Sequence, residues 1–200
     1  MDTQSFASVI QNRRSIYNIG KDVTVTASKI KEIVEFALKW APSSFNSQTS
    51  RAVVLIGDHS DKFWATLTEI LRKIVSADKF APTEAKMKAF ASGYDTILFF
   101  EDEEGVKKMQ DQFPLYASAF PGYSEHTSGM VQLIVWSALQ AEGLGSSLQH
   151  YSPLIDETVQ KEWGVPSNWK LKAQMPFGNV VQGAGEKTFL PLEERVKFFG

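Results

Sequence analysis

The 200-residue sequence contains no cysteine. This absence excludes disulfide bonds, thiolate metal sites, iron–sulfur clusters and a cysteine nucleophile. Redox chemistry remains possible if a bound organic cofactor carries the electrons. Histidine is scarce as well, because His59, His126 and His150 are far apart and none has a histidine four positions away. We therefore expect no metal site built on these residue types.

The chain also has little net charge, since 21 basic and 23 acidic residues leave −2 at pH 7. A chain of this charge has no broad attraction for polyanions, so we expect neither nucleic acid nor a membrane as a partner. No apolar stretch approaches the roughly 20 residues that span a bilayer, and no secretory signal is visible. These absences predict a cytoplasmic protein.

The length predicts a single domain over residues 1–200. Apolar periodicity and short apolar runs predict helices alternating with strands, which is typical of an α/β layered or α+β domain. Residues 113–123 read as a loop, and residues 176–200 show no strong periodicity. The predicted helices cover about 3–13, 30–41, 63–75, 82–93, 102–112, 124–142 and 156–163, and the predicted strands about 52–56, 96–100 and 169–175.

The predicted helix over about 124–142 differs from the others because apolar residues surround its whole circumference. Such a helix must be buried on every side. Two interpretations remain open: a central core helix, or a helix that also packs against a second subunit.

Three polar segments are candidate binding sites. Arg13-Arg14-Ser15 can hold a phosphate, although a charged helix end in solvent is the simpler interpretation. The segment 43–50 can read the polar edge of a planar ligand, or it can be an ordinary loop. The glycines of 143–150 permit a close backbone approach, or they simply end a helix. This last segment matches neither the G-x-S-x-G hydrolase motif nor a dinucleotide fingerprint.

The acidic run Glu101–Glu104 opens a predicted helix. Acidic side chains favour the N-terminal end of the helix dipole. We therefore interpret the run as a solvated helix cap and not as a metal cluster.

Taken together and in this order, the three segments resemble the FMN-dependent nitroreductase family, in particular its compact fatty-acid-repression-like branch. The most specific part is Ser-Phe-Asn-Ser-Gln-Thr-Ser-Arg at 44–51, and the resemblance covers nearly the whole chain. It implies an α+β fold with a mixed, mainly antiparallel sheet flanked by helices in three layers. It also implies an intertwined homodimer in which residues 189–199 wrap onto the partner.

The resemblance implies specific roles for the three segments. The first would hold the FMN phosphate and ribityl chain, the second would contact the flavin, and the third would lie against the isoalloxazine. A basic residue near the C-terminus would return to the phosphate. The implied FMN-binding residues are Arg13, Arg14, Ser15, Ser44, Asn46, Gln48, Leu148, Gln149, His150 and Lys187. Four aromatic residues either line a substrate pocket or simply pack in the protein: Phe113, Tyr116, Phe120 and Tyr123.

The implied activity is NAD(P)H-dependent reduction of small aromatic acceptors, nitroaromatics or quinones, by ping-pong hydride transfer. Its expected setting is detoxification or a stress response. The flavin carries this chemistry, so no catalytic side chain is expected. The alternatives are a non-catalytic flavin-binding regulator on the same scaffold and a cofactor-free interaction protein. The sequence departs from the family pattern at Thr49-Ser50, where many members have Pro-Trp, and at Phe189, where many carry a second basic residue.

Overall fold

The computed structural model describes residues 3–200. The helices are α1 (Thr3–Asn12), α2 (Ala27–Trp40), α3 (Asp58–Ile74), α4 (Phe80–Ala91), α5 (Glu103–Gln112), α6 (Phe120–Ala141) and α7 (Asp156–Trp163). The strands are β1 (Asn18–Gly20), β2 (Ser50–Ile56), β3 (Asp95–Asp102), β4 (Leu144–Ser146) and β5 (Trp169–Gln182). The predicted α+β fold is confirmed.

The strands form one sheet in the order β1-β5-β3-β2, with β4 also paired to β5, and every ladder is antiparallel. The central strand β3 is buried over almost its entire length. In its ladder with β2, Glu101 lies opposite Ser50 and Asp95 lies opposite Ile56. The two acidic ends of β3 therefore sit at opposite ends of the same ladder.

Helices cover both faces of the sheet, giving three layers. Side chains alternate across a strand, so Leu98 and Phe100 face one layer while Ile97 and Phe99 face the other. The first layer contains α3, α4 and α7, with Phe63 and Trp64 fully buried. The second layer contains α2 and α6. We refer to these layers as the α3 face and the α6 face.

Local signals in the sequence determine where α2 begins and ends. The side chain of Thr26 accepts a hydrogen bond from the Lys29 N–H and caps the first turn. The apolar positions recur with the helical period and are buried against the sheet. The helix ends at Trp40, just before Pro42, because the residue preceding a proline is disfavoured in the helical conformation.

Several elements differ from the sequence-based predictions. The segment 113–123 is not a loop throughout, because a 3₁₀ helix covers Pro114–Ala119 and α6 already begins at Phe120. Pro121 fits there because its missing N–H is not needed in a first helical turn. Strand β5 continues to Gln182, well beyond the predicted end, and pairs there with β1. The short strands β1 and β4 were not predicted, because three residues carry too little periodicity.

The glycine-rich end of α6 brings two parts of the chain together. Gly143 ends the helix with a φ of 79°, and β4 follows at once. A Cβ on Gly145 would lie 2.8 Å from the Ile16 side chain, so only glycine permits this approach. The Ile16 N–H donates to the Ser146 carbonyl at 3.0 Å. The glycine thus admits the chain's own segment 15–16, which sets Arg13–Ser15 beside β4.

Helix α6 is buried on one side only within a single chain. Val131, Val135 and Leu139 pack into the core, whereas Leu133 is 44 % exposed. Leu133 lines an open groove of about 560 Å³ between α1, α2 and α6. Phe6 and Phe36 contribute exposed rings to this groove. One chain therefore does not bury α6 on every side, and α6 is not a central core helix.

Candidate functional site

A polar cleft of about 470 Å³ lies where the end of α1 meets the chain that follows β5. Arg13, Arg14 and Ser15 form one wall, and residues 182–187 form the other. The Arg14 Nη2 donates to the Gly185 carbonyl at 2.7 Å, which joins the two walls. Lys187 also lines the cleft, so the two predicted basic segments are brought together. We call this feature the basic cleft.

The guanidinium of Arg13 is held in place but lacks a polar partner. It stacks over the Trp136 ring, with the Arg13 Cζ 4.3 Å from the ring centroid. Its Nε is buried, and no acceptor within residues 3–200 reaches it. Burial lowers the pKa of Arg13, and the neighbouring charge of Arg14 lowers it further. An anionic ligand in the cleft would relieve this repulsion.

The predicted segment Leu148–His150 follows β4 directly. Gln149 is buried and exchanges backbone hydrogen bonds with Gln174 of β5, at 2.8 and 2.9 Å. Its side-chain Nε2 donates to the Ser147 Oγ at 3.0 Å. His150 is exposed. Because β4 also pairs with the segment after α1, one strand positions both this segment and the basic cleft.

The predicted loop Ser43–Gln48 has an unusual backbone. Phe45, Asn46 and Gln48 adopt positive φ values of 55°, 52° and 49°. Non-glycine residues avoid this region, at a cost on the order of 1 kcal/mol or more for each. The Gln48 N–H donates to the Ser43 Oγ at 3.1 Å, and the Gln48 carbonyl accepts from Arg51 Nη1 at 2.7 Å. These contacts fix a strained loop whose tip is Phe45.

The predicted pocket aromatics form one cluster around Phe45. The Phe45 ring centroid lies 4.5 Å from that of Phe113, 5.6 Å from Tyr116 and 5.4 Å from Phe120. Tyr123 stacks edge-on against Phe120 at 5.7 Å. Phe120 is buried inside the cluster, whereas the Phe45 and Tyr116 rings are about half exposed. Sequence reasoning missed Phe45, although it lies inside the most specific motif.

Two of the three predicted segments lie together within one chain, whereas the third does not contact them. The basic cleft and Leu148–His150 share β4. Within residues 3–200, no hydrogen bond, ion pair or ring contact joins the loop Ser43–Gln48 to either of them. A site built from all three groups therefore needs a further element.

The acidic run at the end of β3 is not simply a solvated cap. Asp102 does cap α5, accepting from the Glu104 and Gly105 N–H groups. Glu101, however, is only 2 % exposed. It was missed because acidic residues at a helix start are normally solvated, and only the strand register shows that this one turns inward.

Comparison with known proteins decides the family. The nitroreductase family profile matches residues 10–179. The chain belongs to the nitroreductase family. Nitroreductase CinD from Lactococcus lactis, solved in complex with chloramphenicol, is 43 % identical with a TM-score of 0.89 over 98 % of this chain and 100 % of CinD. The nitroreductase homologue HBN1 of Saccharomyces cerevisiae is 35 % identical over 188 residues, 93 % of each protein.

A more distant structure shares the nitroreductase fold. A protein of Exiguobacterium sibiricum 255-15, solved in complex with FMN, has a TM-score of 0.72 at 16 % identity, covering 97 % of both chains. Nitroreductase membership supports an oxidoreductase role. Among residues 3–200, no helix has the length and apolar character to cross a membrane, and no group of three or more histidine or acidic side chains could hold a metal ion.

Proposed function

We propose that this protein is an FMN-dependent NAD(P)H oxidoreductase that reduces nitroaromatic or quinone acceptors by a ping-pong mechanism. The observation that carries the proposal is the basic cleft, in which Arg13, Arg14 and Lys187 surround a cavity of about 470 Å³. No carboxylate oxygen within residues 3–200 lies within 4.0 Å of either guanidinium. Glu186 also lines the cleft, but the three basic side chains against this one acidic side chain leave the cleft net positive toward an anion.

The donor set of the cleft fits a phosphate monoester such as that of FMN. Guanidinium groups bind phosphate through paired N–H donors, and Ser15 adds a short hydroxyl donor. The guanidinium of Arg13 is a donor group that lines the cleft and makes no hydrogen bond or ion pair within residues 3–200, so it is available to such a ligand. Trp136 beneath Arg13 holds that donor in place before the ligand arrives.

The flavin ring would be held by the other predicted residues. Leu148, Gln149 and His150 follow β4 away from the cleft, and Ser44, Asn46 and Gln48 offer hydroxyl and amide groups to the ring edge. When bound, FMN supplies the redox chemistry, taking a hydride from NADH or NADPH and passing electrons to the acceptor. The protein contributes binding, orientation and exclusion of water, so no side-chain acid or nucleophile is assigned.

The aromatic cluster suits a planar acceptor. Phe45 and Tyr116 present half-exposed rings, and offset stacking on such rings favours aromatic ligands. CinD has been solved with chloramphenicol and with 4-nitrophenol, and both complexes support an aromatic substrate for this chain as well.

A homodimer would cover the apolar surface that one chain leaves open and would bring the separate site segments together. The groove beside Leu133 leaves apolar surface open, and a second copy is the partner we propose for it. The C-terminal segment after residue 188 exposes the large apolar side chains Phe189, Leu190, Leu192, Phe198 and Phe199. If this segment wraps onto a partner, the loop Ser43–Gln48 of one chain can meet the basic cleft of the other. A strictly monomeric flavoprotein in analytical ultracentrifugation would contradict this arrangement.

The experiment that tests the activity is steady-state turnover. The purified protein should oxidise NADH or NADPH continuously when a nitroaromatic or a quinone is added. A protein that retains FMN but shows no turnover with either donor and either acceptor class would be the flavin-binding regulator instead. The cytoplasmic location and the role in detoxification or stress response remain predictions.

A further inference from the structure

The buried carboxylate of Glu101 has no role in the function proposed above. It is 2 % exposed, and among the described residues no Lys, Arg or His nitrogen lies within 4.0 Å of its oxygens. Burying a carboxylate without a cation is costly unless hydrogen bonds satisfy it. The burial of Glu101 therefore depends on the hydrogen-bond donors around it.

Three hydroxyl groups satisfy this carboxylate. Oε2 accepts from the Thr49 Oγ1 at 2.7 Å and from the Ser124 Oγ at 2.6 Å, and Oε1 accepts from the Ser50 Oγ. Thr49 and Ser124 are buried. Hydroxyl groups thus contact both oxygens of the Glu101 carboxyl group.

The three donors come from two separate elements. Thr49 and Ser50 immediately follow the strained loop Ser43–Gln48, whereas Ser124 lies one turn into α6, four residues after Phe120. The loop tip Phe45 packs against Phe120. Glu101 therefore ties the loop that carries Phe45 to α6, which carries Phe120 and Tyr123 of the aromatic cluster.

Asp102 supports the same loop from the next position of β3. Its backbone N–H donates to the Thr49 carbonyl at 2.9 Å, and its carboxylate pairs with Arg51 Nη2 at 2.8 Å. Arg51 in turn donates to the carbonyls of Gln48 and Ser50. The end of the loop is thus held on both sides, while its strained residues would relax if this support were removed.

We propose that Glu101 is a positioning residue for the acceptor pocket: through Thr49, Ser50 and Ser124 it fixes the loop Ser43–Gln48 against α6 and so sets the place of the Phe45 ring. This inference rests on the proposed function, because it assumes that the aromatic cluster receives the acceptor. If the binding-competent loop becomes a minor population, the apparent affinity falls by that fraction while the rate of the bound complex is retained.

The test compares Glu101→Gln with Asp95→Asn. Asp95 lies at the other end of β3, is equally buried at 2 % exposure, and accepts its hydrogen bond from the Gly57 N–H rather than from the loop or α6. The glutamine amide nitrogen donates and cannot accept, so at least one of the three hydroxyl groups can no longer donate to this side chain. We expect Glu101→Gln to raise the KM for 1,4-benzoquinone about fivefold or more at saturating NADH, with kcat changed less than about twofold. Asp95→Asn should leave both values unchanged.

A pair of substitutions at Thr49 separates the hydrogen bond from packing. Thr49→Val keeps the side-chain volume but removes the hydroxyl, whereas Thr49→Ser keeps the hydroxyl. We expect Thr49→Val to raise the KM in the same direction as Glu101→Gln, and Thr49→Ser to retain the wild-type value. Equal KM values for the valine and serine variants would overturn the proposal.

Hydrogen exchange of the full-length protein provides a readout that needs no flavin or turnover. Amides of residues 43–50 should exchange faster in Glu101→Gln than in the wild type, and at the wild-type rate in Asp95→Asn. Unchanged exchange in Glu101→Gln would contradict the inference.

If the wild type shows no turnover, the proposed function fails, whereas faster exchange would still identify Glu101 as the support of this loop. Faster exchange without a change in KM would overturn the role in the acceptor pocket.

Discussion

The two faces of the sheet differ in how completely one chain covers them. On the α3 face, Phe63, Trp64 and Leu67 are fully buried, and Trp64 Nε1 donates to the Thr96 Oγ1 at 2.8 Å. On the α6 face, the groove beside Leu133 stays open, and Trp136 is only partly covered beneath Arg13.

The two faces therefore contribute differently to the fold and to the proposed function. The α3 face is complete within one chain and contributes none of the predicted site residues. The segments Arg13–Ser15, Ser43–Gln48 and Leu148–His150 follow α1, α2 and α6, the helices around the open groove, although Leu148–His150 is reached through β4. The α3 face thus stabilises the domain, while we propose that the α6 face serves assembly and ligand binding.

The largest effect should come from a change within the α3 face. Trp64→Ala removes a fully buried indole, and we expect a loss of about 3–5 kcal/mol in the free energy of unfolding. Chemical denaturation of the variant measures this loss. Trp136→Ala is the matched change on the α6 face, and it should cost less stability but weaken FMN binding. An equal stability loss for both variants would contradict the contrast.

Assembly should respond to a charge placed in the groove. Leu133→Lys would bury an unpaired ammonium in the proposed interface, which we expect to weaken dimerisation about a hundredfold or more, roughly 3 kcal/mol. Sedimentation velocity over a concentration series measures this change. Ile74→Lys is the control, because Ile74 is an exposed apolar residue at the end of α3. Dimers of Leu133→Lys as stable as those of the control would place the interface elsewhere.

Ligand binding should respond to the basic cleft. Arg14→Ala removes a charged donor from the proposed phosphate site, so the dissociation constant for FMN should rise about tenfold to a hundredfold. Asn46→Ala should also weaken FMN retention, through the ring. Titration of the apoprotein with FMN measures both effects. Arg72→Ala, at an exposed ion pair with Glu84 and far from the cleft, serves as the control. Full FMN occupancy in both site variants would remove the site assignment.

The smallest effect concerns the ends of β3, the strand that both faces share. Burial raises the pKa of Asp95, despite the Gly57 N–H and the charge of Lys21. A raised pKa in the folded state means that stability falls as pH rises through the window between the ordinary value of about 3.9 and the raised one. Asp95→Asn should therefore increase stability at pH 7 and lose this advantage below that window.

Asp102 should show the opposite behaviour. Burial alone would raise its pKa, but hydrogen bonds from Gly105 and Asn168 and the charge of Arg51 bring the pKa below its ordinary value. Its contribution is present above about pH 3.9 and is lost as pH falls through the lowered pKa. Asp102→Asn should therefore be less stable than the wild type at pH 7, with the difference shrinking in acid. Denaturation midpoints measured across pH test both predictions. Differences from the wild type that have the same sign for both variants would contradict the assignment.

Local signals made much of the fold predictable. The cap at Thr26, the apolar spacing of α2 and the proline after it act within a few residues, so the sequence alone reveals them. The strands β1 and β4 could not be predicted because their three residues form only when β5 supplies a partner. The segment 113–123 was predicted as a loop because of Pro114 and Pro121, but a proline suits the first turn of a helix equally well.

The candidate site was likewise only partly predictable from the sequence. Family resemblance pointed to the residues, and the structure brings Arg14 and Lys187 into one cleft, but their role in FMN binding stays a prediction. Nothing local signals that Glu101 is buried, because its burial depends on the register that sets Ser50 opposite it. The positive φ of Phe45 likewise depends on contacts with α6. The sequence departs from the family pattern at Thr49-Ser50, but this departure does not reveal the hydrogen bonds that the two residues make.

We propose that the basic cleft completes an FMN site. The most direct measurement is the flavin content of the purified protein, followed by titration of the apoprotein with FMN. We expect a yellow protein that releases one FMN per chain on denaturation and regains it on titration. A colourless protein that binds no added FMN would contradict the account.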